Sequence, residues 1–298
     1  MPRSTRVSGA PEDVGYLKSK ESEGMKDPNQ PQKDTYALEH AIPELEDQPE
    51  MVITAEVDGV LHVLGEQGYI TPEQFQQAIE LRTGSENPHV SSARKKHLLA
   101  ALLREQTMVN LPPECFAPLL RIAVYEADPS FNRSFIEPCL RAFGYRKVLE
   151  ALLEYVRSGT NREKAGSANA LYWAQRPLLL PDWIDRERQE QNQQELQQAL
   201  QEFEQERLKA EQDFQQLWNG LLDVRSAISR ALLIEFVENA NLDVQRSIIG
   251  LLSLNPAKYP DELKPLVLIA ARLAQDHVDD YIRHRAEIQL KFAGTTDS

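Results

Sequence analysis

The densest run of reactive side chains lies near the C-terminus, in Asp276-His277-Val278-Asp279-Asp280-Tyr281-Ile282-Arg283-His284. Asp280 and His284 are four apart, a spacing that stacks two side chains on one helical face. With Asp276 and His277 in the preceding turn, two imidazoles and several carboxylates offer the ligand types that hold a divalent metal. The same residues also make an ordinary helix start, with aspartates capping the first turn and a histidine on the surface. We prefer that simpler assignment. No metal and no cofactor is therefore expected, and Asp280 and His284 are the ligands to examine if one binds. His40, His62, His89 and His97 show no ligand spacing, and acidic pairs are too numerous for one to be singled out as acid and base. No phosphate-binding glycine loop, Gly-x-Ser-x-Gly elbow, His-Glu-x-x-His helix or paired Cys-x-x-Cys occurs. No catalytic residue is assigned.

A second group could bind rather than react. Between residues 91 and 166 basic side chains outnumber acidic ones, and Arg133, Arg141, Arg146, Lys147, Arg157, Arg162 and Lys164 are the candidates for a partner-binding face. Gathered on one surface they would suit an acidic peptide, a phosphate-bearing ligand or nucleic acid. The formal charge of the whole chain, −13, opposes this, because its field repels polyanions and anionic membranes. A protein partner is expected, and nucleic acid is the lesser alternative.

Two cysteines, Cys115 and Cys139, lie apart with no partner motif and read as reduced core thiols. Residues 1–20 carry Arg3, Arg6, Lys18 and Lys20 but no apolar run fit for a leader, and nothing approaches the ~18 consecutive apolar residues of a membrane span. A cytoplasmic protein without membrane contact is expected.

The elements that must position these side chains are all helical. Residues 1–49, rich in Ser, Pro, Gly, Lys and Glu, cannot offset the entropy of ordering and read as a disordered, acidic arm, whose end at residues 44–50 could serve as a short linear motif. Residues 50–84 read as a helical hairpin: an apolar stripe from Val52 to Leu64, then Thr71-Pro72-Glu73-Gln74, a capping box with proline in the first turn. Residues 90–174 cycle through short helices, with Asp128-Pro129 and Thr160–Glu163 as start signals and Gly144 and Gly159 as stops. Pro138 should kink its helix or shift that helix's start. Residues 175–220 hold Pro177, Pro181-Asp182 and a long helix rich in Gln and Glu. Residues 221–293 return to short helices over 223–238, 243–254, 260–275 and 279–292, before a tail at 294–298.

One motif recurs in these blocks: a polar cap, a basic residue, a small or apolar residue three later and an apolar one seven later. Arg133 with Ile136 and Leu140, Lys164 with Ser167 and Leu171, and Arg283 with Ala286 and Leu290 fit it, and Asp223-Val224-Arg225 with Ile228 and Leu232 fits best. Asp243-Val244-Gln245-Arg246 with Ile249 is partial, since Ser253 falls at the last position. The pattern resembles HEAT repeats, the helix-pair units of α-solenoids, over roughly 91–174 and 220–293. In that resemblance Asp223-Val224-Arg225 and Asp280-Tyr281-Ile282-Arg283 stand where the second helix of a unit carries its aspartate and arginine. The interval from Arg225 to Arg246 is too short for one unit, which leaves helix pairing in the second block open. The resemblance implies an all-α fold, an α-solenoid of antiparallel helix pairs interrupted by the long helix. It also implies a scaffold or adaptor, with an enzyme or lyase using a groove carboxylate or the Asp276–His284 cluster as the alternative.

The long helix carries a narrow seam: Leu196, Leu200, Phe203, Arg207, Ala210, Phe214 and Leu217 alternate steps of four and three. Such a seam pairs two copies, so a homodimer through 196–217 is possible. Its phase, however, runs on through Leu221, Val224 and Ile228, so packing within a monomer is favoured. Trp173, Trp183 and Trp218 are expected to anchor its two ends.

Overall fold

The computed structural model describes residues 49–83, 88–105, 110–178 and 193–294. The N-terminal arm through residue 48, Trp183, the Pro181-Asp182 start of the long helix and the tail from residue 295 lie outside the described residues. Among the described residues the chain is all-helical: α1 Pro49–Glu66, α2 Pro72–Thr83, α3 Pro88–Glu105, α4 Phe116–Tyr125, α5 Arg133–Phe143, α6 Tyr145–Ser158, α7 Asn161–Ala174, α8 Gln193–Asn219, α9 Leu222–Glu238, α10 Leu242–Ile249, α11 Lys264–Gln275 and α12 Asp280–Gly294, with single 3-10 turns at Pro113–Cys115 and Pro256–Lys258. No helix among them is long and apolar enough to cross a membrane.

The boundaries follow local chemistry. Thr71 and Gln74 make the reciprocal cap at the start of α2, at 3.2 and 2.9 Å. Thr160 and Glu163 do the same for α7, with Thr160 N–H donating to Glu163 Oε2 at 2.8 Å. Gly144 adopts φ 82° and turns the end of α5 directly into α6, a conformation that favours glycine. The Asp128-Pro129 signal makes a turn rather than a first helical turn, so α5 begins at Arg133. Pro138 then lies in its second turn, opposite the carbonyl of Ser134 in its first. In the second block α10 stops at Ile249 rather than Leu254. Gly250 ends it, and Asn255 caps a separate 3-10 turn at Pro256.

The packing runs in two series. In one, α1 packs on α4, α4 on α7, α7 on α10 and α10 on α12. In the other, α3 packs on α5, α5 on α6, α6 on α9 and α9 on α11. Rungs join them, α1 to α3, α4 to α5, α6 to α7, α9 to α10 and α11 to α12, which answers the pairing of the second block. A single apolar cluster runs through both series, with Phe135, Leu149, Leu152, Leu171 and Phe236 fully buried. Each such side chain contributes roughly 1.5–3 kcal/mol relative to exposure. The two sequence blocks pack directly on each other, α6 on α9 and α7 on α10, so the stack continues past the insertion.

The long helix α8 belongs to neither series, and no other described helix packs along its length. From residue 201 onward Phe214 is its one buried side chain. Phe203, Arg207, Ala210, Glu211 and Trp218 are half-buried, and the rest is exposed. Phe214 stacks on Trp218 at 5.3 Å and meets the Tyr145 ring at 5.7 Å, fixing only the C-terminal end of α8 to α6. Trp173 instead ties α7 to the turn before α5, donating from Nε1 to the Pro129 carbonyl at 2.6 Å.

The tightest approach in the stack is backbone to backbone. A Cβ placed on Gly166 of α7 would lie 1.7 Å from the carbonyl oxygen of Val124 in α4. Gly166→Ala is therefore expected to force the two helices apart and to cost roughly 1–3 kcal/mol or more, read as a fall in urea midpoint. Gly59→Ala in α1, where nothing lies within 4 Å, is the control and is expected to stabilise by about 0.5–1 kcal/mol.

Candidate binding groove

The series that contains α4, α7 and α10 presents a groove of about 440 Å³ across all three helices. Among its more covered lining residues are three small ones, Ala165, Gly166 and Ser247, which make its floor, with Ala127 exposed beside them. Gly166 carries no side chain because the Val124 carbonyl fills that space, so the floor lies at backbone level. Asn161, Arg162 and Asn169 stand on one wall. Asn241, Asp243 and Arg246 form the other, and Tyr125 and Glu126 close the end at α4.

Capping chemistry holds these walls in register. Glu163 of the α7 cap also accepts from the Tyr125 hydroxyl at 3.1 Å, which links the start of α7 to the end of α4. Asn241 caps α10, accepting from Val244 N–H at 3.1 Å, and its own N–H donates to Asn239 at 2.9 Å. Asn239 in turn donates to Asn161 at 2.9 Å and to Glu235 at 3.0 Å. Lys164 meets Glu235 at 2.8 Å with both side chains largely covered. Five polar side chains, those of Asn161, Lys164, Glu235, Asn239 and Asn241, thus link the first turns of α7 and α10.

The groove is polar and nearly balanced in charge. Arg162 donates to the Tyr125 carbonyl at 3.2 Å and lies 5.8 Å from that ring, with no carboxylate partner among the described residues. Glu126 is buried and answered by Lys96 at 2.5 Å and by the Asp128 amide at 3.0 Å. Arg246 reaches Asp279 at 2.5 Å, and that contact, with the Ile282 amide, holds the Asp279 carboxyl below the usual carboxylate range. Asp243 is exposed in the first turn of α10. Such a surface can hydrogen-bond along an extended ligand. Of its two hydroxyls, that of Tyr125 is engaged by Glu163, and no histidine lines the groove to activate that of Ser247.

Of the seven basic candidates only Arg162 lines the groove. The others are engaged within the chain. Arg133 pairs with Glu137 at 2.6 Å and lies over Trp173, and Arg141 reaches the same carboxylate at 3.6 Å. Lys147 sits 4.1 Å from the centre of the Phe116 ring, and Arg157 pairs with Glu154 at 3.3 Å. Arg146 forks onto Asp223 at 2.8 and 3.1 Å and donates to the Gly220 carbonyl at 3.3 Å. These residues divide among α5, α6 and α7 rather than sharing one face. Asp280 faces Arg283, and His284 is exposed. Among the described residues no three potential metal ligands converge. Of the groove asparagines only Asn241 is a cap; Asn161 and Asn169 lie within α7, and no motif in the sequence marks them. The one available signal was the small-residue face of α7, Ala165 and Gly166 between Arg162 and Asn169.

Cys115 and Cys139 are both buried and free, and burial pushes both thiols up, Cys115 to about 12. A second cleft, of about 710 Å³, lies between Gln175, Pro177 and the Leu208 to Gln216 face of α8, beside the break in the described chain after Leu178.

No protein-family model matches the chain, and no curated protein and no solved structure does either.

The Arg146 fork makes a direct prediction. Its hydrogen bonds, with the Val224 amide, lower the Asp223 carboxyl to about 2. A depressed carboxyl stabilises the fold above its unfolded value of about 3.9, and that contribution fades as pH falls toward 2. In Arg146→Gln, carboxyl chemical shifts should place Asp223 back in the ordinary range, and this acid-dependent part of stability should disappear.

Proposed function

We propose that this chain is a HEAT-like α-solenoid that works as a non-enzymatic scaffold, holding a partner polypeptide in the groove across α4, α7 and α10. One observation carries the reading. Three successive helices of one series contribute to a single strip, and its floor is kept at backbone level by small residues. A strip built across helices favours a chain lying transversely to them, and two interhelical spacings of 8–10 Å correspond to about six extended residues. The continuity of both packing series past α8 supports the solenoid. The repeat motif supports it less evenly, because its five matches divide between the series: Arg133 and Arg225 lie on α5 and α9, whereas Lys164, Arg246 and Arg283 lie on α7, α10 and α12. The arginine that meets a neighbouring helix cap, as a HEAT ladder requires, is Arg246 on Asp279. Arg225 instead folds back on Trp218, donating to its carbonyl at 3.0 Å with the ring 4.7 Å away.

The test is quantitative affinity purification with the full chain. Asn169→Trp fills the groove from its wall and should lose the captured partner more than tenfold while melting within a few degrees of wild type. Leu268→Ser, on the exposed face of α11, should keep it. Equal capture by both variants sinks the groove.

We take the chain to be a monomer, with α8 bearing its acidic, glutamine-rich surface into solvent. Glu204 and Glu206 flank the seam and would face like charges in a paired copy. Light scattering should give the mass of one chain, about 33.9 kDa. A dimer that dissociates on Phe203→Glu overturns this.

A further inference from the structure

The turn between α11 and α12 contains a hydrogen-bond chain that only one protonation state can make. His277 Nδ1 accepts from the Asp279 amide at 3.0 Å. Its Nε2 lies 3.0 Å from Oε1 of Gln245, a buried side chain on α10. Gln245 is oriented by its own donation from Nε2 to the Phe236 carbonyl at 3.2 Å, so the oxygen must face the ring. A ring that accepts at Nδ1 and donates at Nε2 is neutral imidazole. A proton on Nδ1 would set two N–H groups against each other.

The charged groups around it decide what such a proton would disturb. On its own segment and α12 stand Asp276, Asp279, Asp280 and Arg283, and Arg283 donates to the His277 carbonyl. From α11 Arg272 reaches Asp276 at 3.9 Å. From α10 come Asp243 and Arg246. Asp279, whose amide binds His277 Nδ1, already holds two partners through its carboxylate: it caps α12 through the Ile282 amide at 3.2 Å and binds Arg246 at 2.5 Å. An imidazolium turning to that carboxylate would displace the cap or the arginine. One that stays in place loses the Asp279 amide.

We propose that the joint between α10 and α12 is a proton-sensitive clasp, in which protonation of His277 opens the first turn of α12 and frees Arg246, on the groove wall, from Asp279. The effect on a partner rests on the groove reading above, whereas the clasp itself does not. Both ends of the device are local, so the rest of the stack stays closed while it operates.

Hydrogen exchange of the full chain, corrected for intrinsic rates, tests the clasp without any partner. Between pH 7.5 and 5.5 the bonded amides of Asp279, Ile282 and Arg283 should lose about tenfold in protection, while those of α7 stay unchanged. In His277→Asn the side-chain oxygen takes the place of Nδ1 without titrating, and the loss should vanish. In His284→Asn, on the same helix, it should persist. Unchanged protection in the wild type, the same loss in His277→Asn, or its disappearance in His284→Asn would each overturn the clasp. Ring nitrogen shifts of His277 in the wild type give an independent reading at pH 7.5: the Nε2–H tautomer is expected, and an Nδ1–H tautomer contradicts the mechanism.

Discussion

The contact between Gly166 and the Val124 carbonyl sets the geometry on which the rest depends. Helix α7 touches α4, α5, α6 and α10, more neighbours than a helix at the edge of a stack can have. Its distance from α4 therefore fixes where α5, α6 and α10 can lie. At 1.7 Å from the place of a Cβ, the carbonyl leaves no room for any side chain, so glycine is required by sterics rather than by backbone conformation. Gly166 also lines the groove, beside Val124. A packing constraint and the groove lining thus share one residue, with the buried side of α7 filled by Ser167, Ala170, Leu171 and Ala174.

Polar contacts then hold the two sequence blocks together, and they differ in worth. The Lys164–Glu235 pair has side chains only 16% and 14% exposed, so losing either partner would strand a charge in a low-dielectric seam. The Arg146–Asp223 fork lies in the open, with side chains 47% and 66% exposed, where solvent and salt screen most of its energy. Its role is geometric: with the Gly220 carbonyl it pins the turn between α8 and α9, and with the Tyr145–Phe214 contact it sets the direction in which α8 leaves the stack.

The helices were legible in the sequence because their signals are local. Apolar stripes such as Val57, Val60, Leu61 and Leu64, the Thr71 and Thr160 capping boxes and Gly144 each act within a turn or two of chain. Which helix packs on which was less legible, since contacts such as α6 on α9 join residues separated by the whole of α8. The unbroken heptad phase from Leu217 through Leu221 to Ile228 pointed to a helix joined to the stack. The chain turns at Gly220, the expected end of the long helix, and the apolar phase that survives across the bend does not bring α8 onto the stack. Basic residues counted along the sequence likewise carry no record of their partners. Arg121 with Glu56, Lys95 with Asp58 and Lys96 with Glu126 are matched across helices, so a surplus of cations in one segment does not make a basic surface.

Charge matching of this kind also explains why the site is amphoteric. Each such pair joins two neighbouring helices with one cation and one anion, and so adds no net charge. The strip is accordingly polar and nearly neutral, lined by asparagines rather than by charges of one sign. Charge matching also places control at the seams. Arg246 serves both the groove wall and the α12 cap, so whatever competes for Asp279 changes packing and surface in one step. His277 is positioned to be that competitor because its carbonyl, its Nδ1 and its Nε2 are each bound to a different group of the joint.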